Sequence, residues 1–404
     1  MHPDPAHIAR LMLAHSSLKL DLISCKTIQT LWAGYGVICH LTAQPKTHEA
    51  GEYLSKIYGK NSAEKPPTYP FILKLISPPS TNSQNEGEGH LRKMLSYQVE
   101  QFFYTRIAPD LDTDVPVAKC LSSTMDIPKR DPELEGLMGI ILADLRPNYP
   151  IAGEKRSVLN KNQVFGTLTW LAHFHSSWNL SENQEYILPP LEEYSRRRQG
   201  DKRSGVWLNG GYTYLATRRS EYDSLKQDTG SEWSERLCTP FYGSGSGSSS
   251  IAEMAAAVLT PRGRPCESLI HGDVKSENLF TTEQGEVAFF DFQYVGLGLG
   301  VCDLAKLLTC SVPLGMLDDR LSEKMDMGGG ERGLLEWYYS TLMRRGERAY
   351  DWATFIRHWE TALVDWCRFQ ASWGFWGNTE WLEGRVRWIL EDAGWREWLM
   401  EQLH

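Results

Sequence analysis

The sequence predicts an α/β protein with two lobes, a small β-rich lobe at the N-terminus and a larger, mainly helical lobe after it. The chain has 404 residues, which is enough for two lobes with sizeable cores. Apolar, β-rich runs are concentrated before residue 145, whereas residues 331–404 carry many tryptophans near helical spacing. This length and this distribution are compatible with two lobes.

Composition and charge limit the classes of function. Hydrophobic residues make up 41% of the chain and charged residues 23%, as in ordinary soluble globular proteins. The formal net charge of −9 argues against binding along a nucleic-acid backbone. The short basic cluster at 196–198 lies beside Glu192 and Glu193, and we interpret it as a solvated surface.

The eight cysteines contain no C-x-x-C pair, which is typical of reduced thiols in a cytosolic protein. No apolar run reaches the length of a membrane span, and the first residues do not have the pattern of a secretory leader. We expect a cytoplasmic protein without membrane or nucleic-acid partners.

The stretch 269–304 carries the strongest functional pattern. It opens with the triplet HGD at 271–273, and Asn278 follows five residues after the aspartate. A turn at 283–285 separates two apolar runs, and the second run ends on Asp291. Phosphoryl transfer from a nucleotide needs this layout. One carboxylate orients the attacking hydroxyl, while an amide and a second carboxylate hold Mg²⁺ on the phosphates.

The segments HGDVKSENLF and FFDFQ resemble the phosphotransferases of the aminoglycoside phosphotransferase and choline kinase group. The nearest resemblance is to the ecdysteroid kinase-like branch and its fungal relatives, which have DFQ where protein kinases have DFG. The resemblance implies a two-lobed protein-kinase-like fold, with an N-terminal lobe over residues 1–143 and a C-terminal lobe over residues 144–404. It also implies ATP and Mg²⁺ as cofactors and a small-molecule hydroxyl as the acceptor. It also implies that Asp273 is the catalytic base, that Asn278 and Asp291 hold Mg²⁺, and that His271 braces the catalytic loop.

The N-terminal lobe is predicted to open with a helix over residues 4–20 and a hairpin over residues 28–42. The hairpin turn contains Gly34 and Gly36, and a glycine-rich turn lets backbone amides approach phosphates without an intervening side chain. This turn is either a reduced kinase glycine loop or an ordinary hairpin turn. Residues 43–68 are polar, which suggests an insertion.

Residues 69–76 form an apolar strand with a single charge, Lys74, and a lysine in such a strand needs a partner or an edge position. Kinases use a lysine here to hold the α/β-phosphates and a helical glutamate to fix it. Residues 91–107 read as a helix, and its segment EQFFY resembles the E-x-x-F-Y helix of the family. We therefore pair Lys74 with Glu100. The alternative is a surface lysine at a strand edge and a solvated glutamate.

Two further segments fit the implied scaffold. Residues 136–145 form a buried type of strand that ends at Asp144, and in the family this point is the hinge whose backbone groups meet the adenine. Asp144 itself is expected to be a polar residue at the strand end more than a ligand. A helix over residues 158–178 carries LAHFH, which resembles the LAxxH segment of the family and gives His175 a bracing role. Asp303 opens a further helix and is expected either to cap it or to tie down the catalytic loop.

The acceptor pocket is predicted from two regions. Helices inserted over residues 190–250 are where the family builds this pocket, and they include GGYTYLATRR, which resembles fungal relatives, and a flexible stretch at 242–250. The tryptophan-rich C-terminus supplies aromatic side chains that either pack between helices or line the pocket. Our candidates for the pocket wall, with core packing or a surface ion pair as the alternative, are Tyr214, Arg218, Trp366, Arg368, Trp373 and Trp376.

The reaction implied by these residues is transfer of the γ-phosphoryl of ATP to a small molecule, with Lys275, two residues after the base, as a hypothetical γ-phosphate contact. A pseudokinase and a protein kinase are the alternatives. The complete set of candidate catalytic residues disfavours the pseudokinase. Only eleven residues separate Asp291 from Asp303, and no A-P-E follows, so a peptide-docking segment has no room.

Overall fold

The computed structural model describes residues 3–59, 67–78, 87–127, 132–177, 185–201, 203–241, 249–318, 320–345 and 350–403. Within these ranges an antiparallel β-sheet lobe precedes a mainly helical lobe, which confirms the predicted fold class. The division between residues 143 and 144 stays a prediction, and the last central strand of the large sheet ends at Ala143.

The sheet of the N-terminal lobe has five strands: β1 (Leu20–Thr30), β2 (Gly36–Pro45), β3 (Tyr69–Ile76), β4 (Cys120–Ser123) and β5 (Met138–Ala143). They are antiparallel neighbours in the order β1-β2-β3-β5-β4. β3 has the predicted bounds and lies in the middle of the sheet, between β2 and β5. β4 was not predicted from the sequence.

Three helices pack with this sheet: α1 (Pro5–His15), α2 (His48–Tyr58) and α3 (Glu88–Phe102). The predicted helix over 4–20 is too long. It begins after Asp4, whose carboxylate accepts a hydrogen bond from the Ala6 amide at 3.1 Å, and it ends at His15. The chain then enters β1, whose first residue, Leu20, pairs with Pro45 across the hairpin.

The polar stretch 43–68 was predicted as an insertion, but part of it is α2. The Thr47 hydroxyl accepts from the Ala50 amide at 3.2 Å and caps the helix. Ala50, Leu54 and Tyr58 follow at four-residue spacing and are buried on one face, so three apolar residues are enough to dock the helix. Residues 60–66 lie outside the described residues.

The C-terminal lobe is mainly helical. Its helices are α4 (Lys161–Ser176), α5 (Pro190–Arg198), α6 (Arg219–Gln227), α7 (Glu232–Cys238), α8 (Ile251–Leu259), α9 (Val301–Cys310), α10 (Gly329–Met343), α11 (Trp352–Trp373), α12 (Thr379–Glu391) and α13 (Ala393–Glu401). Short strands complete the lobe: β6 (Ile151–Ala152), β7 (Tyr186–Ile187), β8 (Val206–Trp207), β9 (Pro240–Phe241), β10 (Ser249–Ser250), β11 (Glu267–Ile270), β12 (Leu279–Thr281), β13 (Val287–Phe289) and β14 (Gly296–Leu299).

The short strands position the predicted catalytic stretch. β11 pairs with β14, and β12 pairs with β13 on one side and β6 on the other. The loop after β11, the β12–β13 hairpin and the segment before β14 therefore meet at the ends of two small sheets. Of the stretch 242–250 that was predicted as a flexible loop, 249–250 form β10, and 242–248 lie outside the described residues.

The tryptophans of the C-terminus divide between core and surface. Trp359, Trp381 and Trp395 are fully buried between the helices, as the packing interpretation predicts. Trp337, Trp373 and Trp388 are exposed instead. Spacing alone therefore does not decide which tryptophans are buried, since Trp388 lies seven residues from both Trp381 and Trp395 and is exposed.

We predicted that the basic cluster at 196–198 is a solvated surface, and this prediction is wrong. Arg196 and Arg197 lie 2.5 and 2.6 Å from the carboxylate of Glu193, which is buried. Arg197 also donates to Gln98 Oε1 at 2.8 Å and so joins α5 to α3. Only Arg198 of the three is exposed.

A buried ion pair joins the C-terminal helices and gives a stability prediction. Arg385 of α12 donates to Glu331 of α10 at 2.8 Å, and Trp359 of α11 donates to the same carboxylate at 2.8 Å. Arg385→Met leaves this carboxylate buried without its cation, so we expect it to lower the free energy of unfolding by about 3–5 kcal/mol. Urea unfolding of the two proteins measures the difference.

The control for that measurement is Arg332→Met, because Arg332 is exposed on the same turn of α10 as Glu331. We expect this control to change the free energy of unfolding by less than about 0.5 kcal/mol. An Arg385→Met protein as stable as the control would show that the pair does not hold the helices together.

Candidate active site

The catalytic loop follows β11 and occupies residues 271–278. Gly272 has φ of +82°, and a Cβ at this position would collide with the carbonyl oxygen of Tyr294. The Gly272 carbonyl accepts a hydrogen bond from the Tyr212 amide at 3.0 Å and another from the buried ammonium of Lys306. The loop is therefore held by backbone contacts that only glycine permits.

Asp273 lies in a cluster of polar groups on this loop. The Asn278 amide donates to the Asp273 carbonyl at 2.8 Å and to its carboxylate at 3.1 Å. Lys275 Nζ lies 3.1 Å from the same carboxylate and 2.9 Å from Glu277 Oε1. Burial alone would lower the pKa of Lys275, but the two acids raise it, so the lysine stays charged beside Asp273.

Lys74 joins the two lobes. Its Nζ lies 2.6 Å from Glu100 Oε2 on α3 and 2.9 Å from Asp291 Oδ1, beyond β13. Lys74 is 8% exposed and pairs with Ile38 and Ile140 across the two neighbouring strands. The alternative of a surface lysine at a strand edge is therefore wrong, and the Lys74–Glu100 contact that we expected is present.

The charges of this triad are unbalanced, because two carboxylates share one ammonium. Burial alone would lower the pKa of Lys74, but the nearby Asp291 and Glu100 raise it. Burial would raise the pKa of Asp291, yet Lys74 holds it below the usual value. Burial raises the pKa of Glu100 to about 7, because Lys74 offsets only part of the desolvation and Asp291 adds repulsion.

Asp291 itself has a strained backbone. Its φ is +64°, a left-handed conformation that costs a non-glycine residue on the order of 1–3 kcal/mol and persists only where its surroundings impose it. Phe103 directly follows α3, and Phe292 stacks on its ring with the centroids 3.8 Å apart. Gln293 Nε2 donates to Asp291 Oδ1 at 2.7 Å. These neighbours hold the turn that directs the carboxylate towards Lys74.

Asp303 ties down the catalytic loop instead of capping its helix, because α9 begins at Val301 with Gly300 as its N-cap. The Asp303 carboxylate accepts from the His271 amide at 2.7 Å and from the Gly272 amide at 2.9 Å. Burial would raise its pKa, but the hydrogen bond from His175 and nearby cations lower it. This carboxylate therefore fixes the start of the loop.

Two histidines contribute hydrogen bonds that brace the loop. His175 Nε2 lies 3.2 Å from the Asp303 carboxylate, and its Nδ1 lies 2.7 Å from the Tyr338 hydroxyl. His271 Nε2 lies 3.0 Å from the Phe290 carbonyl, and its Nδ1 accepts from the Asp273 amide at 3.3 Å. Burial lowers the pKa of His271, in agreement with a neutral ring.

The glycines of the β1–β2 turn differ in what surrounds them. Gly36 has φ of +152°, and a Cβ there would collide with the Leu75 carbonyl oxygen, so its role is close packing against β3. Gly34 has φ of +71° with open space around it. The Tyr35 hydroxyl lies 2.6 Å from His90 Nδ1, which anchors the turn to α3. A contact with phosphate stays a prediction.

Asp144 follows β5 and is 5% exposed. Both of its carboxylate oxygens accept from the guanidinium of Arg146, with the shortest distance 2.6 Å. This contact agrees with a polar residue at the strand end, since the carboxylate is engaged by its neighbour.

Three of the candidate pocket residues are buried and do not form a wall. Arg368 is fully buried and donates to the Thr213 carbonyl and to Asp365, both at 2.8 Å. Arg218 is 1% exposed and donates to the Tyr212 carbonyl at 2.9 Å. Trp366 stacks on Phe369 in the core. Long polar side chains next to aromatics here serve packing, which local sequence does not distinguish from binding.

The remaining candidates are accessible: Trp373 is 51% exposed, and Tyr214 and Trp376 are partly exposed. Sequence reasoning missed Tyr212 and Tyr294, which are partly exposed, pack edge to face at 4.9 Å and adjoin the catalytic loop. Tyr294 could have been suspected because it directly follows DFQ. The Arg218 guanidinium lies 3.9 Å from the ring centre of Tyr212 and supports it from the buried side.

The sheet lobe, the helical lobe and the loop–hairpin–acid segment define a kinase-like phosphotransferase. The chain belongs to the ecdysteroid kinase-like family, whose sequence model matches residues 55–345. This match confirms the branch that the DFQ segment indicated. None of the curated proteins matches the chain.

Several solved structures resemble the chain at low identity. The macrolide 2'-phosphotransferase from Brachybacterium faecium is 13% identical, with a TM-score of 0.40 and coverage of 94% of this chain and 97% of that one. A thermostable mutant of an aminoglycoside phosphotransferase, crystallised with AMP-PNP and hygromycin B, is 11% identical, with a TM-score of 0.44 and coverage of 96% and 99%. A spectinomycin phosphotransferase with ADP and spectinomycin is 10% identical, with a TM-score of 0.37 and coverage of 100% and 99%.

Two further observations concern the described ranges alone. None of the helices in these ranges combines the length and the apolar character needed to cross a bilayer. The same ranges contain no group of three or more histidine, cysteine, aspartate or glutamate side chains arranged to hold a metal ion.

The raised pKa of Glu100 gives a pH prediction. Folded Glu100 binds its proton up to about pH 7, whereas the ordinary value is 4.5, so the folded state holds more protons between these values. The stability that Glu100 contributes should therefore be full below pH 4.5 and fall as the pH rises through about 7. Glu100→Gln removes the titration. The unfolding midpoints of wild type and Glu100→Gln are measured across this pH range. The midpoint of wild type should fall relative to that of the variant as the pH rises, and a constant difference would contradict the prediction.

The contacts of Asp303 give a second prediction. Asp303→Asn keeps the size, but its single oxygen accepts from one backbone amide while its NH₂ group faces the other, so we expect a loss of stability of about 1–3 kcal/mol for the buried donor left unsatisfied. A matched control is Asp223→Asn on the exposed face of α6. Thermal unfolding should separate the two variants, and equal midpoints would show that the carboxylate does not fix the loop.

Proposed function

We propose that the protein transfers the γ-phosphoryl group of MgATP to a hydroxyl of a small molecule. The observation that carries this proposal is the position of Lys74. From the sheet lobe it reaches both Glu100 and Asp291, while Asn278 on the catalytic loop contacts Asp273 at 3.1 Å. Phosphoryl transfer is catalysed by such positioning and by neutralisation of charge.

Asp291, which contacts Lys74, and Asn278, which contacts Asp273, supply donors that fit a nucleotide-bound Mg²⁺. Mg²⁺ is usually held by one or two carboxylates together with substrate phosphates, not by a complete protein cage. A carboxylate (Asp291) and an amide (Asn278), without a larger acidic cluster in the described ranges, match this donor set. When bound, the ion would neutralise charge on the phosphates.

The protein side chains would then divide the remaining work. Asp273 orients the acceptor hydroxyl and takes its proton. Lys74, fixed by Glu100, holds the phosphates that are not transferred. Lys275 is charged and lies 3.1 Å from the Asp273 carboxylate, where it would contact the γ-phosphate.

A small molecule is the acceptor that the chain favours. The residues between Asp291 and α9 contain β14, which is paired with β11, and so they leave no long segment for docking a peptide. Partly exposed aromatic rings adjoin the catalytic loop, and such rings suit an apolar or cationic surface of a ligand. We assign the pocket wall to Tyr212, Tyr294 and Trp373, with Tyr214 and Trp376 at its margin.

The eight free cysteines support a reducing compartment, and we place the protein in the cytoplasm.

The test compares wild type with Asp273→Asn in a small-molecule extract supplied with MgATP. Loss of a positioned acid–base group should reduce the rate on the order of 10²–10⁴-fold. Mass spectrometry should find a species that gains one phosphoryl group with wild type and not with the variant. Calorimetry should show that MgATP binding is retained, because Asp273 acts on the acceptor.

The control is Asp223→Asn, which should form the same product at the wild-type rate. A product formed equally by Asp273→Asn would overturn the role of the base. MgATP binding by wild type without any phosphorylated product from extracts of several sources would favour a pseudokinase. Labelling of protein instead of small molecules would favour a protein kinase.

A further inference from the structure

Gln293 occupies the position after Asp291-Phe292 and contacts groups on three sides. We propose that Gln293 is a positioning residue that sets the orientation of the Asp291 carboxylate and fastens α3 to the catalytic segment. This inference rests on the proposed function and extends it to a residue outside the catalytic set.

The first contact is with the carboxylate. Gln293 Nε2 lies 2.7 Å from Asp291 Oδ1, and Lys74 Nζ lies 2.9 Å from the same oxygen. Two donors on one oxygen fix the rotation of the carboxylate and turn Oδ2 away from both. A carboxylate that ligates a metal is commonly oriented by such a hydrogen-bonding partner.

The second contact is with α3. Ser96 Oγ donates to the Lys93 carbonyl at 2.8 Å and lies 3.3 Å from Gln293 Oε1, so it shares its proton between them. Ser96 is buried and lies one turn before Glu100 on the same face of the helix. The orientation of the Gln293 amide follows from these partners, because a carboxylate only accepts and therefore requires Nε2.

The third contact holds the backbone of Gln293. Trp207 Nε1 donates to the Gln293 carbonyl at 2.8 Å, and the Trp207 amide donates to the Val295 carbonyl at 3.0 Å. Trp207 lies in β8, in the region inserted before the catalytic loop. The inserted region and α3 therefore both contact the segment after Asp291, the first through Trp207 and the second through Ser96.

These contacts explain how the Lys74–Glu100 pair forms without a long activation segment. The segment after Asp291 is held by α3 through Gln293 and Phe292 and by β8 through Trp207. A glycine at position 293 would provide the backbone contact alone. The side chain adds the links to Asp291 and to Ser96, and it helps to impose the left-handed backbone of Asp291.

The test uses Gln293→Met, which keeps the length of the side chain and removes both hydrogen bonds. Loss of a partner that orients a metal ligand typically weakens metal affinity about 10–100-fold, so we expect the Mg²⁺ concentration for half-maximal ADP binding to rise by about tenfold or more. Calorimetric titration of Mg²⁺ at fixed ADP measures this without requiring an acceptor. The control is Gln284→Met, the same change in the exposed β12–β13 turn, which should match wild type.

A second variant keeps the test decisive if Gln293→Met does not fold. Gln293→Asn keeps the amide group on a side chain that is shorter by one methylene, so the amide no longer spans the distance between Asp291 and Ser96. We expect this variant also to raise the Mg²⁺ concentration for half-maximal ADP binding by about tenfold or more. An unchanged Mg²⁺ concentration in the folded Gln293→Asn protein would overturn the inference.

The outcomes separate this inference from the proposed function. If wild type binds ADP with Mg²⁺ and Gln293→Met behaves identically, Gln293 does not position Asp291 and only the further inference fails. If wild type itself shows no Mg²⁺-dependent nucleotide binding, the proposed function fails and this inference fails with it.

Discussion

The structure depends on one buried cation that is shared by two lobes. Lys74 belongs to the middle of the N-terminal sheet, and its two acidic partners belong to α3 and to the segment beyond β13. A buried lysine is costly without such partners, so the strand, the helix and the catalytic segment must come together for any of them to be stable there. The Lys74–Glu100 contact lies within the N-terminal lobe, and the Lys74–Asp291 contact links it to the C-terminal lobe, so the complete triad requires both lobes.

A second constraint is the carboxylate of Asp303, which replaces hydrogen bonds that the loop cannot make internally. Residues 271 and 272 follow β11, and their backbone amides are buried away from water. Buried amides need hydrogen-bond acceptors. Asp303 accepts both, and His175 keeps it charged and oriented. These buried hydrogen bonds restrict the start of the loop, and in the proposed function this restriction contributes to preorganisation of the site.

Local sequence predicted the parts of the fold that have local causes. The bounds of β3 follow from its apolar run, and the catalytic loop and hairpin follow from their turns and polar residues. β4 was missed because its burial comes from tertiary neighbours and not from a strong pattern of its own. α2 does have a local pattern, a cap at Thr47 followed by apolar residues at four-residue spacing, and the polar composition of the stretch hid it. The burial of Arg218, Trp366 and Arg368 could not be predicted from local sequence either. A long side chain beside aromatic residues gives the same sequence pattern in a core and in a pocket.

The electrostatics of the site connect these constraints to function. The triad around Lys74 contains one more acid than base, and burial prevents water from screening the excess. The excess appears in the raised pKa of Glu100, while the carboxylate of Asp291 stays ionised because Lys74 and Gln293 both donate to it. A site arranged in this way keeps its negative charge on the residue that faces the catalytic loop. In the proposed function that residue contacts the nucleotide-bound cation, and the excess negative charge would be neutralised by it.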